Sequence, residues 1–100
     1  MINKIKGEHI DEMFKAILTL NSVDECYKFF DDLCTVKELQ SISQRFAVAK
    51  MLSEKQVYND IVEKTGASTA TISRVNRSLA YGNDGYAMVF ERLYGENVLQ

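Results

Sequence analysis

The chain has 100 residues, of which 46% are hydrophobic and 26% are charged, and its formal net charge is −2. This length and composition predict one soluble domain that covers residues 1–100. Cys26, Cys34 and His9 are too few for a disulfide framework or a four-ligand zinc site. We therefore expect no bound metal and two buried free thiols.

The N-terminus has no secretory signal pattern, and the chain contains no run of about 18 apolar residues. It also contains no proline, the residue that most strongly interrupts helices. These features predict a cytoplasmic protein without a membrane segment, and they permit an entirely helical fold.

Apolar residues recur at helical spacing through most of the chain, and no segment alternates with the period of two that is typical of strands. The spacing predicts an all-α fold with six helices and short connections. The helices cover about residues 8–20, 23–33, 36–52, 54–64, 68–80 and 85–94. Phe29 and Phe30 are adjacent and cannot share one side of a helix, so either a second chain covers one ring or one ring stays half exposed.

Three predicted helix starts carry the pattern of a capping box, in which a hydroxyl accepts a bond from a backbone N–H and a later acid or amide reaches back. The pairs are Ser22 with Glu25, Thr35 with Glu38, and Ser53 with Gln56. Asp84 is placed to cap the last helix, and Gly95 is placed to end it.

A basic segment interrupts an otherwise acidic chain. Residues 64–83 hold three basic side chains and no acid, whereas residues 1–63 hold eight basic and eleven acidic side chains. Three charges are few, so the contrast taken alone also fits chance. The contrast in charge becomes significant together with the structure that is predicted for the same segment.

That structure is a helix–turn–helix over about residues 54–80. Gly66 gives the backbone freedom for a sharp turn, Ala67 is small enough to lie in it, and Ser68 can cap the second helix. Residues of the first helix that are expected to face inward are Val57, Ile61 and Val62.

The second helix of this motif has two different sides. At about 100° per residue, Ile72, Val75 and Leu79 share a sector of about 60°. The opposite side holds Thr69, Ala70, Ser73, Arg74 and Arg77. Small side chains let a helix approach base edges in the DNA major groove, and arginine binds guanine or phosphate. Lys64 and the helix N-terminus at Ser68 are placed to meet phosphate. The alternative is an ordinary solvated surface.

The stretches LCTVKELQSISQRFAVAKML, VEKTGASTATISRVNRSL and YGNDGYAMVFERL resemble the Trp-repressor superfamily, in particular its Trp-repressor-like YerC/YecD-type branch. The resemblance covers roughly residues 20–95. It implies a six-helix Trp-repressor-like fold and an intertwined homodimer, with dimerisation helices over about residues 8–52 and 85–94. It also implies that the second helix of the motif enters the major groove of an operator.

The resemblance assigns DNA contacts to the positions of Asn59, Thr69, Ala70 and Ser73, with Tyr58 nearby. Basic residues that are usual in the family are absent at Asn59 and Ala80. The resemblance therefore implies a different affinity or site preference, for which Arg77 is a candidate compensation.

The resemblance also places an effector pocket at Thr35, Arg45, Thr71, Arg74 and Ser78. Val75 stands where the family has a glycine beside the indole of its corepressor. Its side chain would occupy the space of that indole, so we expect no tryptophan corepressor and name no other effector or cofactor. Arg45 has an alternative role as a solvated or ion-paired residue of its helix.

The sequence therefore predicts a sequence-specific DNA-binding transcriptional regulator, with repression as its expected mode, that acts as a homodimer on a double-stranded operator. The alternative is a protein–protein interaction module with the same fold. We expect no enzyme, because the sequence has no glycine-rich phosphate loop and no catalytic Cys/His pair. Its adjacent carboxylates point about 100° apart on a helix, which suits solvation better than acid–base catalysis.

Overall fold

The computed structural model describes residues 2–95, and all regular secondary structure within that range is α-helical. The helices are α1 (Ile2–Ile5), α2 (Glu8–Ile17), α3 (Val23–Leu33), α4 (Val36–Ser53), α5 (Tyr58–Thr65), α6 (Thr69–Tyr81) and α7 (Gly85–Tyr94). The all-α prediction is confirmed. The predicted count of six is corrected to seven for the described range, because α1 precedes the first predicted helix. The two ends of the predicted 1–100 domain, residue 1 and residues 96–100, lie outside the described residues.

The described chain forms two compact units, which divide between Leu39 and Gln40 inside α4. In the first unit, α1, α2 and α3 contain no buried residue. Its exposed large apolar side chains are Ile2, Ile5, Phe14, Leu18, Val23, Tyr27, Leu33 and Val36. The three helices therefore bury none of their apolar side chains completely within one protomer.

The second unit has a closed apolar core. Its buried residues come from α4 to α7 and from the turn between α5 and α6: Val48, Ala49, Ile61, Ala67, Ile72, Val75 and Phe90. The Phe90 ring meets Phe46 edge-on with 5.3 Å between centroids and stacks on Tyr86 at 5.8 Å. Burial of one such aliphatic or aromatic side chain stabilises a fold by about 1.5–3 kcal/mol. This core holds α5 and α6 in place.

One of the three predicted capping boxes is confirmed in full, and a second is confirmed in its hydroxyl bond only. At the start of α4, the Glu38 N–H donates to Thr35 Oγ1 (3.1 Å) and the Thr35 N–H donates to Glu38 Oε1 (2.8 Å). At the start of α3, the Glu25 N–H donates to Ser22 Oγ (3.1 Å). The Glu25 carboxylate accepts from the Asn21 N–H (2.8 Å), one residue earlier than a standard box. Both boxes satisfy N–H groups that a helix start leaves without partners.

The third predicted box, Ser53 with Gln56, is wrong. Ser53 is the last residue of α4, and its Oγ donates to the Lys50 carbonyl (2.6 Å). A serine hydroxyl can donate a hydrogen bond to a carbonyl of the preceding helical turn, or it can accept one from an N–H at a helix start. The sequence pattern does not distinguish these two arrangements.

The start of α5 is consequently later than predicted. Lys55 adopts a left-handed conformation with φ 65°, and the helix predicted over 54–64 is Tyr58–Thr65. Val57 precedes the helix as its N-cap residue and is 61% exposed, so the prediction that it faces inward is wrong. Ile61 is fully buried, as predicted.

The ends of α2 and α7 show how local bonds set helix length. α2 ends at Ile17 rather than near residue 20, because the Thr19 hydroxyl and N–H both donate to the Ala16 carbonyl and tighten the last turn. Asp84 is the N-cap residue of α7, as predicted, but its side chain makes no capping bond. Gly95 ends α7 with φ 71°, which confirms its predicted role.

The two cysteines differ in exposure. Both are free thiols, with Cys26 exposed and Cys34 half-buried. The prediction of two buried thiols is therefore wrong, because the helix that carries Cys26 has no buried residue within the protomer.

Gly66 ends α5 in the left-handed conformation, with φ 72°, and its N–H donates to the Val62 carbonyl (2.8 Å). A Cβ at this position would meet no atom within 4 Å. The backbone conformation, rather than lack of space, therefore favours glycine here.

Replacement of Gly66 by alanine is expected to lower the free energy of unfolding by about 1–2 kcal/mol, because a Cβ is disfavoured in the left-handed region. Gly85→Ala is the matched control: an added Cβ there also meets no atom within 4 Å, and Gly85 is the first residue of α7. We expect it to leave stability unchanged or raise it by up to about 1 kcal/mol. Urea denaturation followed by circular dichroism measures the free energy of unfolding of both variants. Equal decreases in the two variants would contradict the claim that the backbone conformation at Gly66 favours glycine.

The capping box of α4 predicts a pH dependence. The N–H of Thr35, followed by its hydroxyl, lowers the pKa of Glu38 from its usual value of 4.5, since both bonds favour the carboxylate. The stabilisation is therefore complete above pH 4.5 and is lost as the pH falls through the lowered pKa. Glu38→Gln keeps an acceptor but does not titrate. At neutral pH the melting temperature of the parent chain should exceed that of Glu38→Gln, and this difference should shrink in acid. A difference in melting temperature that does not change with pH would contradict a stabilising role of the Glu38 carboxylate.

Candidate nucleic-acid interface

α5 and α6 form a helix–turn–helix with a turn of three residues, 66–68. Ala67 is buried in the core. Ser68 is the N-cap residue of α6: its Oγ accepts from the Thr71 N–H (3.1 Å) and lies 3.1 Å from Thr71 Oγ1, to which it donates. The predicted structural roles of Gly66, Ala67 and Ser68 are confirmed, and α6 continues one residue beyond the predicted end at 80.

The two sides of α6 are separated as the helical wheel predicts. Ile72 and Val75 are buried in the core, and Leu79 is half-buried against it. Asn76, Ser78, Ala80 and Tyr81 are exposed. The residues predicted on the outer side, Thr69, Ala70, Ser73, Arg74 and Arg77, are all exposed as well. We call these five residues the α6 outer face. It combines two hydroxyl groups, the methyl groups of Thr69 and Ala70, and two guanidinium groups on a single rigid element.

Both arginines of the α6 outer face are available to a partner. Within residues 2–95, the guanidinium groups of Arg74 and Arg77 make no hydrogen bond and no ion pair. α6 itself contains no acidic side chain. Each guanidinium keeps five N–H donors in a planar arrangement that suits phosphate and carboxylate groups.

The predicted residues of α5 fall into two groups. Asn59 and Lys64 are exposed, whereas Tyr58 is half-buried and packs against the core. The Lys64 ammonium donates to Gln56 Oε1 (3.0 Å) and retains two further donors. Lys64 therefore stands at the end of α5, next to the turn, with part of its bonding capacity unused.

Residues of the predicted effector pocket are engaged in local bonds. Thr35 caps α4, in the first unit. In the second unit, Arg45 donates to Ser41 through weak bonds of 3.4 and 3.5 Å, and Ser78 donates to the Arg74 carbonyl (3.4 Å). Thr71 is bonded to the cap of α6. The pocket remains a prediction.

Two residues near this interface were not singled out by sequence reasoning. Tyr81 is the last residue of α6, lies one helical turn beyond Arg77 and is 86% exposed. Extension of the predicted helix by one residue would have placed it beside Arg77. Gln44 of α4 donates from Nε2 to the Thr65 carbonyl (3.1 Å) at the end of α5. No local sequence pattern predicts this hydrogen bond, because its partners are 21 residues apart.

The described residues contain no group of three or more His, Cys, Asp or Glu side chains that could hold a metal ion. Over the same range, no helix has the length and apolar character needed to cross a membrane. The α6 outer face and the end of α5 present hydroxyl, guanidinium and ammonium groups.

Known proteins that resemble this chain identify its family. The sequence profile of the family described as Trp repressor protein matches residues 8–94 of the chain. The chain is also similar to the uncharacterized protein YerC of Bacillus subtilis (strain 168). The two are 54% identical over 92 residues, which cover 92% of this chain and 88% of YerC.

Two crystal structures resemble the fold closely. A TrpR-like protein from Eubacterium eligens ATCC 27750 is 65% identical with a TM-score of 0.88, over 91% of this chain and 94% of that protein. A candidate Trp repressor from Staphylococcus aureus is 56% identical with a TM-score of 0.91, over 97% of both chains. The resemblance predicted from the sequence motifs is confirmed, and the chain belongs to the Trp repressor family.

Proposed function

We propose that this protein is a sequence-specific DNA-binding transcriptional regulator of the repressor type, that it acts in the cytoplasm as a homodimer, and that α6 enters the major groove of its operator. The observation that carries the proposal is the division of α6 into a side buried by Ile72 and Val75 and an exposed outer face with two unpaired arginines. Family membership supports the same class of function.

The shape of the α6 outer face suits the major groove. The groove is about 12 Å wide and admits one helix, provided that the side chains facing the bases are small. Thr69, Ala70 and Ser73 lie in the first turns of α6 and meet this condition. Their hydroxyl groups can bond base edges, and the Ala70 methyl can contact a thymine methyl. The N-terminus of α6 also favours a nearby phosphate.

The charges of this region suit the DNA backbone. Arg74 and Arg77 can bind phosphate or pair bidentately with guanine, and Lys64 can add a phosphate contact from the end of α5. Asn59 supplies an amide on the same motif, and Tyr58 would contribute only its exposed edge. Repression then requires no chemistry, because a protein that covers a promoter excludes the polymerase.

The homodimer part of the proposal rests on the first unit. Its helices expose Phe14, Leu18, Val23 and Tyr27 and bury no residue. So many exposed apolar side chains beside no buried residue favour a partner, and a second copy supplies equally apolar side chains. We assign dimerisation to about residues 8–52 and 85–94 and the helix–turn–helix to about residues 54–80. Dimers that carry this motif read half-sites about one helical turn of DNA apart.

The effector remains unassigned. Val75 is buried in the core with 2% exposure, and it stands where the family has a glycine beside its corepressor. We propose that DNA binding by this chain does not require tryptophan.

The second candidate function is a protein–protein interaction module. The exposed apolar side chains of the first unit and the acidic excess of residues 1–63 favour it. In that case the α6 outer face would be solvated surface, and partners would be retained after both arginines are replaced.

Selection from a random duplex pool should enrich one sequence, and Arg74→Ala should weaken binding to it by about tenfold or more. The loss should be equal on selected and random duplex if Arg74 touches only phosphate, and the salt dependence should then fall by about one unit of slope. If Arg74 reads a base, the preference for the selected sequence should decrease. Fluorescence anisotropy at several salt concentrations measures all three quantities.

Lys6→Ala is the matched control, because Lys6 is exposed, lies outside both the helix–turn–helix and the assigned dimerisation helices, and its loss changes the net charge equally. It should leave affinity within about twofold of the parent chain. Absence of any enriched sequence, with selected and random duplexes bound equally, would overturn the proposal in favour of the interaction module.

Phe14→Glu should convert the dimer to monomer at micromolar concentration, because it places a charge in an apolar interface and removes an aromatic contact of about 2–3 kcal/mol. Lys15→Gln is the control: it changes the net charge by the same amount at the next exposed position of α2. Light scattering after size-exclusion chromatography reports the mass. A parent chain that is already monomeric at high concentration would contradict the homodimer.

A further inference from the structure

The Thr65 carbonyl at the end of α5 accepts a hydrogen bond from α4, a helix outside the helix–turn–helix. The last carbonyls of a helix have no partner within it, and they need a side chain, water or another segment. The Thr65 carbonyl belongs to this class, and Gln44 Nε2 of α4 donates to it at 3.1 Å in a partly buried position. The bond joins two elements of the second unit that are separated by 21 positions in sequence.

The same threonine also holds the turn. Thr65 Oγ1 donates to the Ile61 carbonyl (2.7 Å) and accepts from the Ala67 N–H (3.1 Å). The Thr65 hydroxyl therefore bonds both α5 and the turn, and the Thr65 carbonyl bonds α4. Gln44 is the α4 end of this chain of bonds, which leads to Ala67, one residue before the cap of α6.

These bonds differ in kind from the core contacts. Packing of Val48, Ile61 and Ile72 is strong but non-directional, so it tolerates small rotations of one helix over another. A hydrogen bond requires its donor and acceptor within a narrow range of distance and angle. The Gln44–Thr65 bond therefore restricts where the turn lies relative to α4, and the turn sets where α6 begins.

We infer that Gln44 is a positioning residue, which fixes the α5–α6 turn against α4 and thereby sets the placement of the α6 outer face on DNA. The DNA part of this inference rests on the proposed function. Gln44 itself need not contact the nucleic acid. Its effect reaches DNA through Thr65 and Ala67.

Gln44→Met tests the inference, because methionine has similar length and no donor, so the Thr65 carbonyl loses its partner. Amide hydrogen exchange at Ala67 should accelerate by about three- to tenfold, the range that corresponds to loss of one ordinary hydrogen bond. Affinity for the selected duplex should fall by a similar factor. Affinity for random duplex should stay constant, because binding without sequence preference depends on charge, which does not change.

Gln44→Lys is the rescue variant, since its ammonium can donate to the same carbonyl at similar reach. Its added charge should raise affinity for both duplexes, while the ratio of selected to random affinity and the slow exchange at Ala67 return toward the parent values. A role in stability alone would lower the melting temperature of Gln44→Met and leave that ratio unchanged, which would overturn the inference.

The two proposals fail in different ways. If the parent chain shows no sequence preference, the proposed function fails, and exchange at Ala67 still decides whether Gln44 positions the turn. If the parent chain selects a sequence and Gln44→Met keeps the same ratio and the same exchange rate, the inference about Gln44 is wrong while the proposed function stands.

Discussion

The candidate interface depends on the burial of one side of α6. Ile72 and Val75 lie in the same core as Val48 and Ile61, and Leu79 extends the contact toward the end of the helix. Since the helix is rigid, burial of these side chains determines which residues point away from the protein. The arginines and hydroxyls of the α6 outer face are exposed because they occupy the remaining angular sector, and they need no bonds of their own to hold them there.

The turn before α6 adds direction to this packing. Gly66 reverses the chain at a positive φ, and Ala67 returns it to the core. Thr65 uses its hydroxyl and its carbonyl to tie this reversal to both α5 and α4. Apolar burial thus supplies most of the stabilisation, whereas a few hydrogen bonds select one orientation among those that the core would accept.

Local signals predicted the parts of this structure that local physics controls. The box of Thr35 with Glu38 and the positive φ of Gly66 involve residues within four positions of one another, and the wheel of α6 links residues of one helix through neighbours three or four positions apart. The box at Ser53 failed because a hydroxyl can bond either the preceding carbonyl or a following N–H, and the choice depends on where the chain turns. The Gln44 bond could not be predicted, because its acceptor lies in another helix and is a main-chain carbonyl that every residue carries.

The contacts of the apolar side chains in the first unit could not be predicted from local patterns either. Their helical spacing predicted amphipathic helices, but within one protomer these helices bury no residue. A pattern of apolar residues indicates which side of a helix must be covered, yet it does not identify what covers it. Phe29 and Phe30, which meet each other edge-on at 5.7 Å, show the ambiguity on adjacent positions.

The net charge of −2 is compatible with DNA binding because electrostatics at physiological salt is local. The Debye length is about 8 Å, so exposed acidic groups farther than that from the α6 outer face contribute little to the potential there. In the proposed homodimer, two copies of Arg74 and Arg77 would present four guanidinium groups on two helices. The distribution of charge along α6, rather than its sum over the chain, then decides whether a duplex is attracted. Outside residues 64–83 each protomer carries nine basic and fourteen acidic side chains, and this acidic excess makes DNA approach elsewhere less favourable on average than at α6.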